Sequence, residues 1–258
     1  MINFCSLISG SSGNCTFISS GDTKLLVDCG MSGKNLEKLL ASIDVKPTDI
    51  NAMLITHEHS DHVRGAGIVS RRYNIPIIAT QKTHMAMDIG NISDENKILI
   101  KPYEDFEIGK IGIKAFSIPH DAADPVGYTF EIENKKYTIA TDIGKMSDEL
   151  LSHIKGSHSV ILESNHDVDM LMFGPYPFPL KQRILGDFGH LSNEFAATAA
   201  LELAKSGTQN IMLGHLSENN NTPEIAMLET HNVLTRAGVK VGDEVTLKVA
   251  HRHNITLF

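Results

Sequence analysis

Thr56-His57-Glu58-His59-Ser60-Asp61-His62 follows directly on an apolar run at 52–55. Three histidines and one aspartate, all potential metal ligands, fall within the six positions 57–62. Imidazole and carboxylate donors at this density suit a first-row transition metal, zinc being the usual occupant. The plain alternative is a polar loop with chance histidines. The junction with a buried strand favours the metal, because side chains at a strand end are held at the base and exposed at the tip.

Outward from this loop, strands and helices alternate. Upstream, 2–9, 15–19 and 24–28 read as strands, with Gly21-Asp22 as a turn. Ser9-Gly10-Ser11-Ser12-Gly13-Asn14 reads either as a hairpin connection or as a site-facing loop, since glycine permits close backbone approach. Leu36, Leu39, Leu40 and Ile43 share a face of a helix at 34–43, and a strand at 53–55 leads into the histidine loop. A helix at 63–73, a strand at 75–79, a helix at 81–89 and a strand at 98–100 follow. Strands at 111–118, 127–132 and 137–140 give way to loops at His120 and Asp142.

The second half repeats the pattern, with a helix at 147–154, a strand at 159–162 and the polar cluster Glu163-Ser164-Asn165-His166-Asp167. A short helix is predicted near 180–185. Gly189-His190-Leu191-Ser192 precedes a helix with Phe195, Ala196, Ala199, Ala200, Leu203 and Ala204 on its apolar face and Ser192 as N-cap. A strand at 210–213 ends at His215, Thr222-Pro223 opens another helix, and 245–249 is the last strand. The pattern predicts α/β layers in a single domain spanning 1–258.

Composition bounds the function. With 41% hydrophobic and 21% charged residues over 258 positions, the chain is an ordinary globular protein. The first residues lack a basic leader, and no run is long enough for a membrane span, so a cytoplasmic location without membrane attachment is expected. Cys5, Cys15 and Cys29 are an odd count without Cys-x-x-Cys spacing, which argues against a disulfide framework. A net charge of −8 excludes a generic basic nucleic-acid platform. It leaves nucleic acid open as a partner, because bound divalent cations add positive charge where a phosphate would sit. Oligomeric state is not legible.

The order His57-x-His59-x-Asp61-His62, His120, Asp142, His215 resembles the metallo-β-lactamase superfamily, nearly end to end. The fold this implies is a four-layered αβ/βα sandwich. Gly10–Cys15, Pro119–Gly127, Glu163–Asp167, Gly174-Pro-Tyr-Pro177 and Gly189–Asn193 are similar to the YycJ/VicX (WalJ) branch. The resemblance implies two divalent metal ions, zinc or manganese with iron also accepted by such ligands. His57, His59 and His120 would hold one, Asp61, His62 and His215 the other, with Asp142 bridging. A two-metal centre of this kind generates a hydroxide nucleophile near neutral pH. Asp61, Asp142 and His190 are then the candidate catalytic residues.

Superfamily membership alone leaves the reaction open. His-x-His at the first ligand pair, where the flavo-diiron redox branch has His-x-Glu, favours hydrolysis. His190 stands just before a helix N-terminus, where it can contact a phosphate or protonate a leaving oxygen. Lys181, Arg183 and Asn219 are candidate substrate contacts, as are Arg64, Arg71 and Arg72, each also readable as solvated surface. Glu163 and His166 are candidate supports for the ligands or loop-bracing residues. The short spans from His120 to Asp142 and from Asp142 to His190 leave no room for the tRNA-gripping arm of ribonuclease Z relatives or the β-CASP cap.

The branch implies a metal-dependent phosphodiesterase, a 5′→3′ DNA exonuclease in DNA repair. The alternatives are hydrolysis of a small cyclic phosphodiester, lactone or thioester, and a regulatory binding role in a two-component pathway. His84, His153, His158, His231, His251 and His253 read as structural or surface histidines.

Overall fold

The computed structural model describes residues 2–258; Met1, where the leader reading and the 1–258 domain begin, lies outside them. The elements run β1 (Ile2–Ile8), β2 (Cys15–Ser20), β3 (Thr23–Val27), α1 (Gly33–Ala41), β4 (Ala52–Leu54), α2 (Ser60–Val63), α3 (Ala66–Tyr73) and β5 (Ile77–Thr80). Then come α4 (Gln81–Ala86), β6 (Lys97–Ile100), β7 (Asp105–Ile108), β8 (Ile111–Ser117), β9 (Val126–Ile132), β10 (Lys135–Ala140), α5 (Asp148–Ile154) and β11 (Ser159–Glu163). The chain ends with α6 (Val168–Phe173), α7 (Phe178–Leu185), α8 (Asn193–Lys205), β12 (Asn210–Gly214), α9 (Pro223–Arg236), β13 (Thr246–Val249) and β14 (Thr256–Leu257).

The chain groups into two compact units, one of residues 2–115, 122–126 and 251–257, the other of residues 116–121, 127–250 and 258. In the first, a mixed sheet has the order β14-β1-β2-β3-β4-β5-β6. β1 to β3 pair antiparallel and β3 to β6 parallel. Leu36 and Leu40 of α1, Val69 of α3 and Met53 and Ile77 of the sheet close a core in which Cys5, Cys15 and Cys29 are also buried as free thiols. Burying a leucine of this kind contributes about 1.5–3 kcal/mol.

In the second unit β10, β11, β12 and β13 pair parallel and β9 pairs antiparallel with β10. Ala196, Ala200 and Leu203 of α8 pack on a core with Val160, Leu162, Ile211 and Leu213. Parallel strands buried on both faces read as continuous apolar runs, as Ser159–Glu163 does.

Several boundaries differ from the periodicity. The helix predicted at 63–73 is broken at Gly65, whose added Cβ would lie 2.0 Å from the Met31 carbonyl oxygen. α6 was not read from the sequence and follows the polar cluster directly, opened by Asp167 accepting from the Met170 amide. β7 was not legible, being an exposed edge strand with a weak apolar pattern. β13 is not the last strand, since β14 returns to pair with β1. Phe195, placed on the apolar face of α8, is 65% exposed, and the buried stripe runs through the small alanines instead.

Candidate functional site

In the first unit the histidine loop leaves β4 and is set by Asp28 at the end of β3. Asp28 adopts a left-handed φ of 61° and reaches under the loop. Its Oδ1 accepts from the Thr56 amide at 2.9 Å and its Oδ2 from the Thr56 hydroxyl at 2.9 Å. The same Oδ2 lies 2.7 Å from His62 Nδ1. Thr56 Oγ1 lies 3.0 Å from His57 Nδ1. A carboxylate on Nδ1 fixes the tautomer and directs Nε2 outward as a ligand. His62 Nε2 then lies 3.5 Å from Asp61 Oδ2 and 3.1 Å from Asn14 Nδ2.

The glycine-serine loop also faces this cluster. Asn14 donates its amide to the Asp61 carbonyl at 2.8 Å, and Gly30 donates to the Asn14 carbonyl at 2.8 Å. A Cβ on Gly30 would fall 1.6 Å from the Asp61 carbonyl oxygen, so this strand end admits only glycine. His57 and His62 are fully buried, with ring centroids 4.1 Å apart, and His59 sits 4.6 Å from His57.

In the second unit His120, Asp142, Glu163, His190 and His215 converge. Asp142 and His215 end β10 and β12 with left-handed φ of 61° and 55°. Such backbone is uncommon for non-glycine residues and marks positions held by their surroundings. Asn165 Nδ2 donates to the His215 carbonyl at 2.9 Å, holding that turn, and Asn221 Nδ2 donates to the carbonyls of Ser164 and Asn165. His120 Nδ1 donates to the Gly189 carbonyl at 3.0 Å, leaving the lone pair on Nε2, and burial lowers its pKa. Asp142 Oδ1 lies 3.4 Å from His215 Nε2 and 3.8 Å from His120 Nε2.

Donor atoms around one tetrahedral zinc, at bonds of about 2.0–2.1 Å, stand roughly 3.4 Å apart. Buried imidazoles and carboxylates at such separations, 3.5 Å between His62 Nε2 and Asp61 Oδ2 and 3.4 Å between His215 Nε2 and Asp142 Oδ1, fit a divalent metal.

Glu163 is fully buried, and its two oxygens are both used. Oε2 accepts from the amides of Ile143 and Leu191, and Oε1 lies 2.8 Å from His190 Nδ1. His190 is partly exposed, stacks on His215 at 5.3 Å and stands 4.0 Å from Asp142 Oδ1. His166 does not join this bonding. Both its ring nitrogens are buried without a hydrogen-bond partner among the described residues, and burial pulls its pKa down to about 4.

The sequence model of the metallo-β-lactamase superfamily matches residues 8–215. The chain belongs to this superfamily. It is 41% identical over 244 residues to a Bacillus anthracis protein named exodeoxyribonuclease YycJ, covering 94% of this chain and 92% of that one. It is also 41% identical over 240 residues to exodeoxyribonuclease WalJ of Streptococcus pneumoniae serotype 2, covering 92% and 89%. Zn(2+)-bound PqqB from Methylobacterium extorquens shares the metallo-β-lactamase fold, with a TM-score of 0.72 at 16% identity over 98% of this chain and 99% of that one. No helix among the described residues is long and apolar enough to cross a membrane.

Four of the five basic side chains expected as substrate contacts, Lys181, Arg183, Arg71 and Arg72, are engaged locally. Lys181 Nζ donates to the carbonyls of Met172 and Gly174, and Arg183 pairs with Asp121. Arg72 pairs with Glu37, and Arg71 donates to the Ile89 carbonyl. Asn219 Nδ2 donates to the Tyr176 hydroxyl at 2.9 Å. Asp28 and Thr56 were not legible as supports of the histidine loop, whereas Asn14 belongs to the 9–14 loop whose site-facing reading the contacts to Asp61 and His62 favour. The available signal was Asp28 itself, an aspartate closing an apolar strand in the same way as Asp142.

Proposed function

We propose that this chain is a metal-dependent phosphodiesterase, a 5′→3′ DNA exonuclease acting in DNA repair in the cytoplasm. Its two units act as one domain, and it binds two divalent ions, zinc or manganese. His57, His59 and His120 would hold one ion and Asp61, His62 and His215 the other, with Asp142 a ligand to both, as the superfamily resemblance implies. The observation that carries this reading is the Glu163–His190 pair beside Asp142 and His215. The identity to proteins named exodeoxyribonucleases supports it.

Bound there, the two metals would supply an activated water and neutralise charge developing on phosphate. The protein's own groups do the rest. Asp28 and Thr56 keep His62 and His57 oriented. Glu163 holds His190 Nδ1, so proton exchange with a substrate goes through Nε2, which protonates the leaving oxygen or contacts the phosphate. A positioned acid of this kind contributes about 10²–10⁴-fold. The buried carboxylate also stabilises the imidazolium before it gives up its proton.

The test is turnover of bis(p-nitrophenyl) phosphate and of 5′-labelled duplex DNA with manganese or zinc. Release of nucleotides from 5′ ends, abolished in Asp142→Ala, is the expected result. Lactone or thioester hydrolysis without phosphodiester turnover would overturn it, as would metal binding with no hydrolysis of any of these substrates.

A further inference from the structure

We infer that Phe173, Phe178 and Phe188 form a stacking platform for unpaired bases of a single-stranded DNA end. This rests on the phosphodiesterase reading and narrows its substrate to strands whose terminal bases are unstacked. Phe173 is 88% exposed, Phe178 63% and Phe188 62%, whereas Phe4, Phe17, Phe116 and Phe130 are all buried. A phenyl ring normally buries most of its area, so several left in solvent on one segment mark a contact surface.

The exposure is built. Lys181 Nζ bonds to the Met172 and Gly174 carbonyls, tying α7 back onto the end of α6 between Phe173 and Phe178. Phe188 sits on backbone fixed from both sides. Its carbonyl accepts from the Asp121 amide at 3.1 Å, Gly189 donates to Gly186, and His190 donates to Ile184. A Cβ on Gly189 would fall 2.2 Å from the Ile184 carbonyl oxygen, so this loop packs against α7 without slack. A ring held outward from so tight a backbone is presented to a partner.

Its position identifies that partner. Phe188 stands two residues before His190, and Asp121, bonded to its carbonyl, directly follows His120. With a phosphodiester at His190, the neighbouring groups of the substrate are nucleobases, flat apolar faces that stack on aromatic rings whatever their sequence. Arg183, paired with Asp121, and Lys145, paired with Asp187, lie on the same surface segment or against it, and a backbone phosphate passing there would compete with those carboxylates.

The chain contains no tryptophan, so Phe188→Trp supplies a single reporter. Titration with phosphorothioate-linked oligo(dT) in the presence of manganese should quench its fluorescence. Phe188→Leu and Phe173→Leu/Phe178→Leu, which keep apolar bulk and lose the ring, should each raise KM for single-stranded DNA about fivefold or more, with kcat changed less than threefold. Leu228→Ala, an equally exposed apolar residue on α9, serves as the neutral control. Absence of quenching, or leucine variants with native KM, overturns the platform. Overturning it too would be a concentration-dependent dimer of the native protein that Phe188→Ser dissociates without changing KM for DNA. If the native protein turns over no phosphodiester while the tryptophan still quenches, the hydrolytic reading fails and the platform stands.

Discussion

Asp28 Oδ2 lies 2.7 Å from His62 Nδ1, joining the end of β3 to the histidine loop after β4. The carboxylate thereby fixes which imidazole nitrogen faces a metal, and raises its basicity. Asp28→Asn should keep the left-handed backbone, which asparagine tolerates, while removing the charge. Metal affinity should fall about 10–100-fold, read by competition with a chromophoric chelator. Unchanged affinity would reduce Asp28 to a backbone brace for Thr56.

Glu163→Gln should separate orientation from chemistry. The neutral amide stabilises a protonated His190 far less than the carboxylate does, so kcat on DNA should drop about 10–100-fold with little change in KM. The alkaline limb of the kcat profile should move to lower pH, because loss of an adjacent carboxylate lowers an imidazole pKa. Bis(p-nitrophenyl) phosphate, whose leaving group needs little protonation, should suffer less. Equal losses on both substrates would remove the general-acid role.

The candidate donors were legible because each closes an apolar strand, and the structure finds that pattern at β4, β10 and β12. Their supports were hidden because they come from distant positions. Asp28 reaches His62 across 34 residues and Asn165 reaches His215 across 50. Nor could composition foretell that Lys181 would spend its donors on carbonyls of its own segment, or that Phe195 would face solvent while alanines pack. Periodicity reports which residues can be buried; neighbours unknown to a single sequence decide which are.

Gly30→Ala should act on the histidine loop through backbone alone. The added methyl would meet the Asp61 carbonyl oxygen at 1.6 Å, and no flexible side chain can yield there. A stability loss of about 3 kcal/mol or more in urea titration is expected, with loss of bound metal. Gly156→Ala, at a positive φ of 75° with open space around it, should cost only about 1 kcal/mol. Similar costs at the two positions would mean that the Gly30–Asp61 approach relaxes freely.

The orphaned His166 sets an acid limit on stability. Burial, with no hydrogen-bond partner to its ring among the described residues, lowers its pKa to about 4, against about 6.5 in an unfolded chain. Between those values the unfolded state binds more protons than the folded one, so stability rises with pH across the window and is lost as pH falls from 6.5 towards 4. His120, also shifted down by burial, adds in the same direction. Urea titrations of metal-free protein at pH 7 and pH 4.5 should differ by about 2–3 kcal/mol from His166 alone. Metal-free protein is required because protonation of the ligands would otherwise release metal over the same range. His166→Phe, which fills the space without a titrating group, should flatten this slope while leaving the His120 contribution. A variant as acid-sensitive as the native chain would place the proton uptake elsewhere.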